Sequence, residues 1–303
     1  MTSPTNNTPD TPPVCDYEGS DYQSTFWDTG GRAYEDGAEA VALRRLLSTG
    51  EFMLEVGAGA GRNTPRYNGY QRIVVMDYSL TQLQQAQARL GKSDRYVFVA
   101  ADVYRLPFVD GLFDGATMIR VLHHMADGPQ ALREIRRTLQ SGAIFILEFA
   151  NKQNIKAILR YWLGKQDWNP FDPDPVEFVA LNYDFHPRTT RQWLRDTGFV
   201  VERTLTVSHF RLGALKRLLP TPLLVAMDSV AQLSGNWWQL TPSVFTRNRA
   251  VGETPLATPG TLFRCPTCGD NTFDEHETHL DCQTCGDVWA IRDGIYDFKA
   301  PMT

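Results

Sequence analysis

No apolar run in this chain approaches the ~20 residues that a bilayer-spanning helix needs, so no membrane span is expected. No secretion signal is expected either, because Met1 to Pro13 is rich in Thr, Pro and Asn and has no hydrophobic segment. Residues 1–15 therefore read as a disordered N-terminus, and a cytoplasmic address is expected. There is no surplus of positive charge. Thirty Lys and Arg stand against thirty-five Asp and Glu, and the net charge of −5 offers no general attraction for nucleic acid or an anionic membrane. Cysteine is scarce, at five residues, and four of them crowd between positions 265 and 285. No set of carboxylates has the spacing of a catalytic metal site, so none is expected. At 42% hydrophobic and 21% charged, the 303 residues have ample material for one large or two ordinary globular domains.

What is present is organised around Leu54-Glu55-Val56-Gly57-Ala58-Gly59-Ala60-Gly61-Arg62. The apolar run Phe52-Met53-Leu54 ends in an acid, and glycine then falls on every second position. A strand followed by such a turn implies that the backbone comes very close to another group. The dinucleotide fingerprint G-x-G-x-x-G would need its third glycine at position 62, which is Arg62. Twenty residues after Gly57, the buried-strand pattern Arg72-Ile73-Val74-Val75-Met76 stops at Asp77. A carboxylate there is placed to accept both hydroxyls of a ribose, whichever nucleoside cofactor carries it. A third strand, Val97 to Ala101, leads to Asp102 and Leu106-Pro107-Phe108. A fourth, Phe113 to Arg120, leads to Val121-Leu122-His123-His124.

This order of motifs, GxGxG, D, AD…LPF and FDG…VLHHM, resembles the small-molecule branch of the class I S-adenosylmethionine-dependent methyltransferases (type 11) over roughly residues 50–150. The resemblance implies an α/β fold, a Rossmann-like seven-stranded sheet, and S-adenosyl-L-methionine as cofactor. It places Asp77 on the ribose, Asp102 on the adenine amino group, and the backbone near Ile119 and Arg120 on the methionine moiety. Glu55, Gly57, Ala58, Gly59, Gly61, Tyr78 and Val103 complete the implied cofactor site. A nicotinamide oxidoreductase and a non-catalytic cofactor-binding scaffold remain as alternatives, as does a methyltransferase acting on RNA or protein.

Local signals punctuate the core. A helix is expected from residue 36 to 48, another after Ser79 with a capping box completed by Gln82, and a third after Asp127 with Pro129 in its first turn. The fifth strand is Ala143 to Phe149, with Glu148 near its pocket end. Phe199 to Phe210 and Trp237 to Arg249 read as late strands resembling the antiparallel pair of the methyltransferase sheet. The aromatic segment 16–35 either wraps the sheet edge or brings Tyr22, Arg32 or Tyr34 to the ligands. Residues 151–188 are an insertion with a basic amphipathic helix at Lys152 to Lys165. Lying after the fifth strand, it is placed to cover a small-molecule acceptor as a lid. Candidate catalytic side chains at this edge are His123, His124, Tyr183 and His186, with Glu148 as a further possible base; they matter only if the acceptor must lose a proton. For the histidine pair, shaping the loop is the competing role.

After a linker at 251–261, Cys265-Pro-Thr-Cys268-Gly and Cys282-Gln-Thr-Cys285-Gly form two C-x-x-C-G knuckles. Four thiolates so placed can surround one zinc ion, whereas redox pairs or disulfides would be the alternative. Cys15 lies outside the pattern. Residues 262–303 resemble the zinc ribbons appended to some methyltransferases and the small activator subunits of tRNA and protein methyltransferases. A separately folded ribbon, and a protein partner met through it, are the expectations. Three basic against eight acidic side chains in residues 261–303 argue against nucleic acid as that partner.

Overall fold

The computed structural model describes residues 11–21 and 23–302. The expectation for Tyr22 and that for the first ten residues fall outside them. Short β-branched and apolar runs form the strands β1 (Gly50–Val56), β2 (Tyr70–Asp77), β3 (Tyr96–Ala100), β4 (Phe113–Met118) and β5 (Leu139–Ala150). All five are parallel, in the order β3-β2-β1-β4-β5. Because successive side chains point to opposite faces, each run feeds two cores. Leu54, Val56, Val74 and Met76 join one hydrophobic cluster, and Met53, Ile73 and Val75 the other. Helices α3 (Gly128–Thr138) and α5 (Pro187–Asp196) cover the first face. Helices α1 (Ala33–Leu46), α2 (Leu80–Leu90) and α7 (Thr221–Ala231) cover the second.

Strands β8 (Phe199–Val207) and β9 (Ser243–Ala250) finish the seven-stranded sheet, with β9 antiparallel to both β5 and β8. The last strand begins six residues later than its sequence pattern suggests. Trp237 and Trp238 are exposed, so the alternation there does not mark a buried face. Asp127 caps α3 through Gln130 N at 2.9 Å. At Ser79 only half of the expected capping box forms: its hydroxyl accepts from Gln82 N at 3.2 Å, but the Gln82 amide donates to Ser20 O. Asp77 takes the Ser79 N–H instead.

The insertion opens with α4 (Ile155–Trp162), capped by Asn154, and continues into a hairpin of β6 (Val176–Val179) and β7 (Asn182–Asp184). The hairpin packs on the 3-10 turn Leu122–His124 and on β5, above the carboxyl edge of the sheet. A short helix α6 (Gly213–Leu218) precedes α7.

The C-terminal strands β10 (Phe273–Glu275), β11 (His279–Cys282), β12 (Val288–Arg292) and β13 (Ile295–Asp297) do not stand apart. Strand β13 pairs in parallel with β3, so one eleven-stranded sheet runs through both halves. Phe263, Trp289 and Phe298 belong to the same buried cluster as Phe108 and Phe113. The tail folds onto the edge that β3 would otherwise leave open, which removes an unpaired strand edge.

Candidate cofactor cavity and cysteine site

Strands β1, β2 and β4 end together, and a cavity lies where they stop, the place where open α/β sheets bind ligands. The glycine turn forms its floor. Gly57 has φ +68°, and a Cβ there would lie 2.2 Å from Val121 Cγ2. Gly59 has φ +55° and open space in front of it, with no neighbour closer than Gln82 Oε1 at 3.8 Å. That is the close approach the alternating glycines predict. Gly61 serves otherwise: a Cβ on it would press on Leu90 and Ala86, so its bareness lets α2 pack.

Glu55, Gly57, Ala58, Gly59, Asp77, Tyr78, Val103, Ile119 and Arg120 all line the cavity; Gly61 and Asp102 do not. Asp77 accepts from Gly59 N at 2.8 Å and Ser79 N at 3.0 Å, which fixes its carboxylate at the cavity wall; burial raises its pKa. Asp102 accepts from Tyr104 N at 2.9 Å, and its neighbours Ala101 and Val103 provide the wall on either side. Burial pushes Glu55 up to about 7, although the Thr64 hydroxyl donates to it at 2.6 Å. Two cavity-lining hydroxyls, Tyr67 and Thr117, are buried together beside Glu55. A cavity wall holding buried hydroxyls and carboxylates beside bare backbone fits a polar nucleoside ligand.

Several lining residues are ones the sequence does not single out, although some lie in the aromatic segment 16–35. Val14 and Cys15, expected within an unstructured terminus, run along the cavity, and Cys15, outside the four-cysteine cluster, is a wall residue. Tyr17, Gln23 and Trp27 line it in place of Arg32 and Tyr34. Arg32 lies over Phe26 and Tyr34 is buried against Asp228, at 2.9 Å. Trp27 lies under the Arg62 and Arg120 guanidiniums, at 3.6 and 4.9 Å. Both arginines pair with Glu39, fully buried on α1; burial pushes its pKa up, but Arg120 and Arg62 together outweigh that and hold it low. Only the fold brings position 39 to positions 62 and 120. Arg120 itself has φ +60°, and its N–H donates to Glu148 at 2.9 Å. Glu148 also accepts from Ser243 at 2.5 Å and lies behind the loop, outside the cavity wall.

Of the catalytic candidates, His124 lines the cavity. Its Nδ1 lies 3.0 Å from Leu181 O, in the insertion hairpin, and its Nε2 lies 3.1 Å from the Tyr17 hydroxyl. A carbonyl can only accept, so Nδ1 carries the proton and Nε2 is left with its lone pair toward Tyr17. Burial lowers the His124 pKa, and burial with the nearby His124 and Arg120 lowers that of His123 much further. His123 stacks beside His124, 4.0 Å away between ring centres, outside the lining. His186 departs from its expected role: its Nδ1 accepts from Arg188 N and caps α5, and the ring is buried. Tyr183 stacks on Phe185 in the hairpin, away from the cavity wall.

The four tail cysteines converge. Their sulfurs all lie within 4.8 Å of one another, with Cys265–Cys285 at 3.7 Å and Cys268–Cys282 at 3.5 Å, too long for disulfides. Each knuckle closes identically, Gly269 N to Cys265 O and Gly286 N to Cys282 O at 2.9 Å, with the glycines at φ +78° and +79°.

A nucleotide-type cavity at the carboxyl edge of a seven-stranded sheet, with the glycine turn at its floor, defines a class I cofactor-binding domain. A methyltransferase-domain family matches residues 54–147. A demethylmenaquinone methyltransferase of Clavibacter sepedonicus is 34% identical over 181 residues, 55% of this chain and 74% of that protein. The ubiquinone/menaquinone biosynthesis C-methyltransferase of Pseudomonas syringae pv. tomato is 29% identical over 172 residues, 50% of this chain and 66% of its own length. Two further methyltransferases that it matches are spanned over only 41% and 49% of their length. In fold, the chain is similar to the structure of a Haloferax volcanii complex of the Trm112 methyltransferase activator with a methyltransferase, at TM-score 0.54 and 17% identity, over 76% of this chain and 96% of that one. The chain belongs to the S-adenosylmethionine-dependent methyltransferase family. Among the described residues no helix is long and apolar enough to cross a membrane.

Proposed function

We propose that the protein transfers a methyl group to a small-molecule acceptor, with S-adenosyl-L-methionine bound in the cavity below the insertion. The observation that carries this is Asp77, held by Gly59 N and Ser79 N beside a bare glycine turn, where a ribose diol would sit. Ala101 and Val103 would flank the adenine, with Asp102 beside it. Glu55 and the backbone at Ile119 and Arg120 would face the methionine end, whose ammonium favours an ionised carboxylate. The cofactor supplies a methyl carbon made electrophilic by its sulfonium. What the chain must add is an acceptor held in line and stripped of any proton on the attacking atom. Tyr17 and His124 are placed for the second task. An acceptor hydroxyl would pass its proton to the neutral His124 Nε2, directly or through the Tyr17 phenol, while the Leu181 carbonyl keeps the imidazole turned that way. The hairpin thus serves as lid and positioning device together. The relatives named above support a small acceptor, since two of them are named for quinone-type methylation.

We also infer a structural zinc ion at the four cysteines. Four sulfurs each about 2.3 Å from one ion stand about 3.8 Å apart in a tetrahedron, and the observed 3.5 and 3.7 Å match that edge. The ribbon so formed would then be the surface for a protein partner, its acid excess disfavouring RNA. Calorimetry with S-adenosylhomocysteine and with NAD tests the cofactor reading; binding of NAD alone overturns it. Labelled methyl transfer to hydroxylated aromatic acceptors tests the reaction.

A further inference from the structure

The insertion exposes a surface that neither the cofactor cavity nor the lid explains. On α4, Ile155, Leu159 and Trp162 fall at i, i+4 and i+7 and face outward, while Ala157 and Ile158 are buried beneath them. Trp162 is 69% exposed, and Leu163 beside it 67%. The loop before β9 adds Trp237 and Trp238, 78% and 61% exposed. The two pieces are tied together, because Ile155 N donates to Leu240 O at 2.8 Å and the Asn151 amide to Gln239 O at 2.9 Å. Monomeric soluble proteins rarely leave so many large apolar side chains in one place, and such patches mark interaction surfaces.

The charges on this surface choose among occupants. Residues 152–166 contain Lys152, Lys156, Arg160 and Lys165 and no acid; Lys156, Arg160 and Lys165 are exposed. Residues 229–250 also contain no acid. Glu148 and Asp228, which precede the two stretches, are buried; Asp167, Asp172 and Asp174, which follow the helix, are exposed, and the last two gather around the buried Lys152, whose ammonium donates to Asp174 O. Within a chain of net charge −5, residues 152–166 thus expose three cations and no acid. Trp and Arg are enriched at protein–protein interfaces but Lys is depleted there, and two of the three exposed cations are Lys156 and Lys165. Exposed Trp and Leu bordered by Lys and Arg is instead the composition of a helix lying in the interface plane of a bilayer, with indoles at headgroup depth and cations on lipid phosphates.

We propose that this face, α4 with the Trp237–Trp238 loop, docks the protein peripherally on an anionic lipid bilayer. It does so without a spanning segment, and the docking does not depend on whether the enzyme methylates a small molecule. The full chain, loaded with zinc, is incubated with vesicles of equal parts phosphatidylcholine and phosphatidylglycerol, and separately with phosphatidylcholine alone. Co-sedimentation with the mixed vesicles at low salt, a blue shift of tryptophan emission and release by added salt are expected. W162A/W237A/W238A, all three at exposed positions, lowers the bound fraction at least tenfold. K156Q/R160Q/K165Q lowers partitioning roughly fivefold per charge removed. Either variant unfolding leaves the wild-type measurement and the other variant to decide. Wild-type protein that stays in the supernatant at low salt overturns the proposal. So does tight, salt-independent binding to both vesicle types that neither variant alters. A wild-type dimer in solution that the tryptophan variant converts to monomer, with no vesicle binding, reassigns the face to a second copy of this chain.

Discussion

Asp77 carries the clearest single-residue prediction. Asp77→Ala should weaken S-adenosylhomocysteine binding by about 1–3 kcal/mol, the scale of hydrogen bonds to a charged group, with little loss of fold; unchanged affinity by calorimetry removes it from the ribose site. Glu55 predicts a pH dependence. Its pKa rises from 4.5 when unfolded to about 7 when folded, so the folded state holds an extra proton between those values. Stability from this group is full below pH 4.5 and is lost as pH rises through about 7, a change on the order of 3 kcal/mol. Glu55→Gln should flatten the slope of thermal stability between pH 4.5 and 7 relative to wild type. An identical slope in both proteins refutes the shift. In the wild type, cofactor affinity should grow over the same window if the ammonium of the ligand meets the ionised carboxylate. At the acceptor side, His124→Gln should lower kcat for a hydroxyl acceptor by about 10²-fold or more while S-adenosylhomocysteine affinity stays within a few-fold. An equal loss in both would make His124 a wall residue only.

Among the elements, the β6–β7 hairpin is the one whose role reaches furthest from its own residues. It fixes His124 through Leu181 O and covers the carboxyl edge, yet none of its residues lines the cavity. Replacing residues 176–184 by a glycine linker should abolish transfer and leave S-adenosylhomocysteine affinity little changed. A folded deletion that turns over normally, or that no longer binds the ligand, contradicts the lid. Sequence position alone suggested such a cover, since an insertion after the fifth strand must emerge at the ligand edge. Its inward contacts could not be read, because the hairpin touches the 3-10 turn some sixty residues earlier in the chain. Ser79 caps α2 as its pattern implies, but the reciprocal half of the box failed for a similar reason. Asp77, nearby in sequence but held by Gly59, supplied the acceptor that Gln82 would have provided.

At the level of the whole molecule, the tail and the catalytic sheet share strands and core. Phe298 N donates to Ala100 O at 2.8 Å, the Lys299 ammonium lies 5.4 Å over the cavity residue Tyr78, and β13 runs beside β3. A tail of about 40 residues has too little core to hold itself without a metal. Its folding free energy should come largely from zinc. Cys282→Ser or a strong chelator should therefore release one zinc per chain and unpair β13. Contrary to a self-contained module, it should also lower the melting temperature of the catalytic domain and weaken cofactor binding by exposing the β3 edge. Substantially less than one zinc per chain in the purified protein, or a melting curve indifferent to chelation, counts against this coupling.

The linear sequence determined the parts whose physics is local. Alternating glycines required positive φ and a close approach. Short continuous apolar runs set the parallel strands, Asp77 marked the end of β2, and the paired C-x-x-C-G knuckles turned four thiols inward. Tertiary structure alone decided what depends on residues far apart in the chain meeting. It placed Glu39 between Arg62 and Arg120 and put Cys15 and Tyr17 on the cavity wall. It turned His186 into a helix cap, and it joined the ribbon to β3. These arrangements follow from how the sheet edge is closed and which faces need covering, and no local pattern encodes either.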